Sequence, residues 1–399
     1  MPLPLIQQLI QRGVSIPDPA AVYVGSDVKP ERIAKSATLH PGSRIEGAAT
    51  SIGPGSVIGS EGPAVVRNCQ LGHKVTLASG FFDGSVFLDG ASMGGNAHVR
   101  PGCLLEEQAS GAHAVGLKQT VLMSYVTLGS LVNFCDCLMS GGTSRKNHSE
   151  VGSSYIHFNF TPHQDKATPS LIGDVVRGVL LNQPPVFLGG QGGLVGPVRV
   201  AFGTVVAAGS VLRHDVTEPN RLVVPPVPAP GHRAYPQEAY GPVHRLIVNN
   251  LWYIGSIRAL ARWYDTVRRP FMSADAYAAA CITGALAVLD TILDERIKRL
   301  AELAGKMDAS IAALSHATDD KSRGYRREQE AFRAAWPAMA AALKNNPAVD
   351  AAPLASLAAS RPAGVAYLDW ITSLHPDQQA LASVALDEIV HATVSLWKA

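Results

Sequence analysis

The sequence predicts a mainly β protein with an α-helical end: a parallel β-helix of stacked six-residue repeats, followed by an α-helical C-terminal domain. Three observations predict it. In VFLGGQGGLVGPVRVAFGTVVAAGSV (186–211), aliphatic residues recur every six positions at Leu188, Leu194, Val200 and Val206. Four residues after each stands a small or β-branched residue, Gly192, Val198, Thr204 or Ser210. The chain's glycines and prolines are concentrated before about residue 240, beyond which alanine and leucine take over. Neither a helix nor a simple strand alternation has a strict period of six. A hexapeptide unit does: it is one short flat strand plus a corner, three units close a triangular coil, and stacked coils share a continuous core.

The elements follow in order. Residues 1–33 read as a lead-in. Over 34–217 the period recurs at Ile52 and Ile58, Leu71 and Leu77, Met93, Val99 and Leu105, Leu128 and Phe134, and Val151 and His157. The register slips between these runs, as it does where a loop leaves a corner, and a solenoid tolerates such insertions because each coil packs only on its neighbours. At about eighteen residues per coil, this stretch predicts roughly nine or ten coils. Residues 218–239 form a proline-rich linker (VVPPVPAP at 223–230), and 240–399 form the helical domain. There Leu246, Asn249, Asn250, Tyr253, Ile257, Leu260, Tyr264 and Val267 stand mostly three or four apart, which predicts an amphipathic helix that buries aromatics and exposes Arg258 and Arg268. One or two helices are expected over 274–316, and others over 325–343 and 376–398. Breaks are expected at Asn345-Asn346-Pro347 and Ser360-Arg361-Pro362. No chemical motif marks this region.

Composition narrows the function classes. With 399 residues the chain can hold two domains. Lys+Arg 34 against Asp+Glu 32 gives a formal net charge of +2, so no global electrostatic argument favours nucleic acid. Cys135 and Cys137, one residue apart, are expected on the same side of one strand as small core residues. No CxxC pair of the zinc type occurs. The N-terminus lacks the basic start and long apolar core of a signal peptide, and no apolar run reads as long enough to span a membrane. The expectation is a cytoplasmic protein with reduced thiols and neither nucleic-acid nor membrane partners.

The segment SGGTSRKNHSEVGSSYIHFNFTPHQDKATPS (140–170) is the richest in chemistry. It holds His148, His157 and His163 with Arg145, Lys146, Asp165 and Lys166. A coil core needs only aliphatics, so this density of polar side chains on a corner loop suits a ligand cleft. His157 falls at an aliphatic slot of the repeat and is expected to be buried and hydrogen-bonded. His148 and His163 fall on loops and are the candidates for acid–base work. No spacing here matches a strong metal motif, and no metal is expected.

A family resemblance rests on four segments. The run VFLGGQGGLVGPVRVAFGTVVAAGSVLRHDV (186–216), HFNFTPHQDKATPSLIGD (157–174), the turn in AHVRPGCLLEE (97–107) and the lead-in GVSIPDPAAVYV (13–24) together resemble hexapeptide-repeat acyltransferases. In particular they resemble the acetyltransferase β-helix of the bifunctional N-acetylglucosamine-1-phosphate uridyltransferase/glucosamine-1-phosphate acetyltransferase. The likeness covers roughly 10–217, about half the chain, and the helical region has no counterpart there. The resemblance implies a left-handed prism and a homotrimer with sites between neighbouring prisms. It implies acetyl-CoA or another acyl-CoA as co-substrate, and a phosphorylated or nucleotide-linked sugar as the small-molecule partner. Arg100 and Lys118 match the family's phosphate-holding residues, and a guanidinium binds phosphate bidentately where a lysine adds a point charge. Asn159 matches an asparagine near the acyl-transfer centre, and Phe160 replaces a tyrosine there. Lys166 matches a lysine near the coenzyme or sugar site. Gly190 and Ala208 match positions whose backbone lines the coenzyme groove.

Two departures qualify the resemblance. The family's uridyltransferase half would precede residue 10, and the chain holds no glycine-rich nucleotide loop of that kind. The family's catalytic histidine would fall near GSLVNFCDC (129–137), where this chain has Asn133 and Phe134. Two readings follow. One is an acyl-CoA-dependent transferase acting on a sugar phosphate or nucleotide-linked sugar, with His148, His163 and Asn159 catalytic and Arg100, Lys118 and Lys166 holding substrate. Phe160, Gly190 and Ala208 would then hold the coenzyme. The other is a non-catalytic β-helix scaffold or sugar-nucleotide-binding protein.

Overall fold

The architecture follows from where the period of six places its side chains. A computed structural model describes residues 4–397, except 228, 233, 234 and 274. Strands of two to four residues, separated by corners, stack in parallel into a three-faced prism. Face I has ten strands, from Tyr23–Val24 to Val211–Leu212. Face II has eight, from Ser51–Ile52 to Arg199–Val200, and face III has ten, from Thr38–Leu39 to Leu222–Val223. Strand pairing therefore extends beyond 34–217 at both ends. Ser15 already bridges to Thr38, Tyr23 pairs with Arg44, and Val206 pairs with Val223. The periodic residues point inward: Leu188, Leu194, Val200, Val206, Ile52, Ile58, Leu71, Leu77, Val99, Leu105, Phe134 and Val151 are all buried in one continuous core. Corners turn through residues with positive φ, including Asn68, Asn96 and Asp136, side chains that tolerate this conformation better than most.

The three faces differ in what they show outward. Face III presents polar residues beside its inward ones, as in Thr76–Leu77, Ser92–Met93 and Thr127–Leu128. Face II instead buries both sides. Val86, Leu104, Val121, Leu138 and Leu171 point away from the prism core yet are at most 3 % exposed, because helices cover them.

Those helices come mostly from the C-terminal half. Two short ones, α1 (Leu5–Gln11) and α2 (Val175–Gly178), belong to the prism. The others are α3 (His244–Trp263), α4 (Arg269–Met272), α5 (Ala276–Gly305), α6 (Met307–Ala313), α7 (Asp320–Leu343), α8 (Ala352–Ala359), α9 (Tyr367–Thr372) and α10 (Pro376–Val394). The expected breaks at 345–347 and 360–362 lie between α7 and α8 and between α8 and α9. Tyr253, Ile257 and Leu260 of α3 and Leu289 and Ile292 of α5 share one apolar cluster with the outer side of face II. The helical region is thus laminated onto the prism. At the crossing, Gly284 of α5 allows close approach, since a Cβ there would displace the Gln70 side-chain amide and press on Val86 at 3.0 Å.

Three expectations are corrected. Arg258 and Arg268 are buried, not exposed. Arg258 donates to the carbonyls of Leu343 and Asn345 beyond the end of α7, while Arg268 pairs with Glu106 at 3.3 Å and with Glu107. Cys135 and Cys137 do not share a strand: the corner at Asp136 puts Cys135 on face I and Cys137 on face II. And α5 with α6, Ala276–Ala313, is by length and composition long and apolar enough to cross a membrane. Its leucines, isoleucines and valine are interrupted by alanine, glycine, threonine and Asp290, so no unbroken aliphatic run marks it in the sequence. In the fold, Cys281, Ala285, Leu289 and Ile292 of this helix pack in the cluster over face II. All five cysteines are free and buried.

The seam between prism and helices makes a testable demand. Tyr264 also donates to Glu106 at 2.9 Å, so Arg268 and Tyr264 together compensate a carboxylate with no access to water. Replacing Arg268 by alanine leaves Glu106 buried with its hydrogen bonds but without its counter-charge, and the expected loss is about 3–5 kcal/mol in urea unfolding.

Candidate functional site

One edge of face I, next to the corner leading to face II, gathers most of the candidate residues. Outward positions on successive coils stack in register. Arg100 follows Val99, which pairs with Leu117, and Lys118 pairs with Cys135. The next coil adds Ile156, His157 and Phe158, and the loop beyond contributes Asn159, Phe160 and Lys166. These residues and Asn133 line a pocket of about 320 Å³. Arg100 donates to the Cys135 sulfur at 3.3 Å. Among the described residues, Arg100, Lys118 and Lys166 form no ion pair, so three cations face one pocket without a carboxylate to neutralise them. Burial, reinforced by Asp136, raises the Cys135 pKa against the opposing pull of Arg100 and Lys118, so the group stays a thiol at neutral pH.

Asn159 is oriented from behind. Its amide donates to Asp136 Oδ2 at 3.2 Å, and the other oxygen of Asp136 pairs with Arg296 of α5 at 2.9 Å. Sequence reasoning missed both partners, although each left a signal. Asp136 is the only charged residue in the run 131–139, and Arg296 occupies a place in the apolar stripe Leu289, Ile292, Leu300, Leu303.

His157 lines the pocket but is 3 % exposed, at the aliphatic slot expected of it. Its Nδ1–H donates to the Cys135 carbonyl at 2.6 Å, which leaves Nε2 to accept from the Ser170 hydroxyl at 2.8 Å. Ser170 Oγ in turn accepts from the Val198 amide at 3.0 Å. Both ring nitrogens are committed, and burial lowers the pKa to about 4.

The two histidines expected to act as acid or base lie elsewhere. His148 sits on the hairpin formed by Gly142–Ser144 and Asn147–His148, where its Nδ1–H donates to the Arg145 carbonyl at 2.9 Å and its Nε2 lies 3.7 Å from Glu150. His163 stacks on Tyr240 at 4.1 Å between centroids, and its Nδ1 donates to the Gln237 carbonyl at 2.9 Å. Neither lines the pocket with Arg100, Lys118, Asn159 and Lys166. Gly190 and Ala208 occupy the opposite edge of face I, in corners that follow Phe187–Leu188 and Val205–Val206. Phe134 points into the core against Tyr155, so the outward positions beside it are Asn133 and Cys135.

The comparisons with known proteins bear on the prism. No family model matches the chain. The bifunctional protein GlmU of Thermotoga petrophila is 28% identical over 211 residues, which are 53% of this chain and 42% of that protein. GlmU of Lawsonia intracellularis is 30% identical over 220 residues, 54% of this chain and 42% of the relative. The β-helix is homologous to GlmU. The homology falls on the acetyltransferase region, and with the three-faced prism it supports the left-handed β-helix expected from the sequence. The chain covers well under half the length of each GlmU it matches, and its helical region lies outside that likeness.

The buried histidine gives the fold a defined acid sensitivity. His157 binds a proton more weakly folded than unfolded, so between the ordinary value of 6.5 and about 4 the unfolded chain takes up more protons. Its contribution is present above pH 6.5 and is lost as pH falls through that window, by up to about 3 kcal/mol. In His157→Gln, urea midpoints measured at pH 7 and pH 4.5 should differ less than in the wild type.

Proposed function

We propose that this chain binds a phosphorylated sugar in the pocket lined by Arg100, Lys118, Asn159 and Lys166 and transfers an acyl group to it from acetyl-CoA or another acyl-CoA. The observation that carries the reading is the convergence of three unpaired cations and an oriented carboxamide in one pocket, on a β-helix homologous to GlmU. A guanidinium and two ammonium groups suit a phosphate dianion. The Asn159 carboxamide is placed to hydrogen-bond the acceptor or the thioester oxygen beside it. The acceptor amine or hydroxyl would attack the thioester carbon, its proton leaving to a base and the coenzyme departing as a thiol. Phe160, 57% exposed at the rim, offers a face for the coenzyme. Gly190 and Ala208 would serve the coenzyme only from a neighbouring prism or along a groove that crosses face I.

A homotrimer in the cytoplasm completes the reading. Face II is occupied by the chain's own helices, which leaves faces I and III for a cyclic assembly. Both carry exposed apolar residues on their last coils: Ile156 and Phe158 on face I, and Phe187, Val205 and Leu222 on face III. Light scattering at micromolar concentration is expected to return three times the chain mass of 42.0 kDa.

A second reading is favoured by one observation. Among the described residues no imidazole with an uncommitted nitrogen lines the pocket, because His157 is engaged on both sides and His148 and His163 lie outside it. In that reading the protein binds a sugar phosphate or sugar nucleotide without transferring anything. One experiment separates the two. Glucosamine 1-phosphate is titrated calorimetrically, and free thiol is followed with acetyl-CoA present. Binding with thiol release supports transfer, and binding alone supports the second reading. Arg100→Ala should weaken the binding by about 1.5–3 kcal/mol, the value of a hydrogen bond to a charged group.

A further inference from the structure

We propose that the helical region sets the shape of the candidate pocket, and that Arg296 of α5 is its positioning residue. This rests on reading the pocket as the sugar-phosphate site, but the contacts stand apart from that reading. Arg296 is 1 % exposed. Its Nη2 pairs with Asp136 Oδ1 at 2.9 Å and donates to Gln119 Oε1 at 3.3 Å, while Nη1 donates to the Lys166 carbonyl at 3.1 Å. Each partner adjoins a pocket residue. Gln119 follows Lys118, Asp136 follows Cys135 and holds Asn159, and Lys166 lines the pocket itself. One planar fork thereby spans three segments from successive coils and fixes their relative placement, which a single ammonium could not do.

The rest of the loop is held the same way. Tyr240 donates to Asp165 at 2.9 Å, Lys306 Nζ to the carbonyls of His163 and Gln164, and Asn250 to the carbonyl of Ala167 at 2.9 Å. Residues 159–167 belong to no strand, so the parallel ladder cannot satisfy their polar backbone groups. Donors from the helical region take the carbonyls of His163, Gln164, Lys166 and Ala167, while Thr161 and Asp165 bond the loop's own amides from within, so the placement of the loop that presents Asn159, Phe160 and Lys166 is held in large part from outside the prism. Arg268 offers an internal control. It is an equally buried arginine at the same seam, yet Glu106, Glu107 and Tyr264 with which it interacts do not line the pocket.

The test uses the full chain and amide hydrogen exchange by mass spectrometry. Arg296→Lys keeps a positive charge beside Asp136 but loses the fork. Peptides covering 159–167 are expected to exchange about tenfold faster or more, reporting local opening of the loop, while peptides from 186–211 keep wild-type rates. Arg268→Lys should leave 159–167 unchanged. If Arg296→Met folds poorly because Asp136 is left unpaired, the double variant Arg296→Met with Asp136→Leu removes both charges and should show the same loop opening. In the acetyl-CoA and glucosamine 1-phosphate assay, Arg296→Lys should lower kcat about tenfold while KM for glucosamine 1-phosphate stays within about threefold, since Arg100, just past its strand, and Lys118, on its strand, are not held by Arg296. Arg296→Gln, which keeps a donor but no charge, should fall below Arg296→Lys. Wild-type exchange across 159–167 in Arg296→Lys and in the double variant overturns the proposal. Faster exchange in a protein whose wild type shows no turnover supports the positioning role and counts against the transfer reading alone.

Discussion

Face II must be covered, and most of what distinguishes this molecule follows from that. Its strands place apolar residues on both sides: Phe87, Leu105, Leu122, Met139 and Ile172 inward, and Val86, Leu104, Val121, Leu138 and Leu171 outward. A row of outward aliphatics on stacked coils makes a continuous apolar stripe of the kind that soluble chains do not leave bare. The helices α3 and α5 bury it. The prism therefore has one face committed internally and two available, and the site edge of face I lies beside the covered face.

Apolar lamination has little directional content, and the buried ion pairs supply it. Arg268 with Glu106 and Glu107, and Arg296 with Asp136, cross the seam between helices and prism. Such pairs contribute little net stability relative to well-packed apolar groups, because desolvation offsets much of the attraction. Their value here is geometric. A helix sliding along the stripe would keep its hydrophobic contacts and strand its charges, so the pairs fix α3 and α5 at one height on the stack. That height brings Arg296 level with the coils that carry Lys118, Asp136 and Asn159.

Much of the fold was legible because a six-residue period is a strong local signal. The inward positions named from sequence are buried, including His157, whose polar ring the slot accommodates only by using both nitrogens. The lamination was less legible, although its signal was present. Doubled apolar residues at 86–87, 104–105, 121–122, 138–139 and 171–172 recur on face II, where face III alternates with threonine or serine and face I shows polar residues such as His98, Lys118 and Asn133. Arg258 and Arg268 were assigned to solvent because helical periodicity alone cannot show that backbone carbonyls or carboxylates wait on another element. Of the site, Arg100, Lys118, Asn159, Phe160 and Lys166 converge. His148 and His163 do not, since nearness in sequence on a long corner loop says nothing about which edge of the prism each residue reaches.

The covering of face II also has a consequence in time. The stripe is complete once Leu171 has been made, but α5 begins only at Ala276, 105 residues later (276 minus 171). At about 5–20 residues per second this leaves the stripe without its full cover for roughly 5–20 s of each round of synthesis. Throughout that interval the nascent prism exposes both an apolar sheet surface and an unheld 159–167 loop. Many repeat proteins can be shortened by whole coils, since each unit rests on its neighbours. This one has exchanged that modularity for a late-arriving half on which its early half depends, so a ribosome that stalls between the two releases a protein that is neither soluble on face II nor shaped at its pocket.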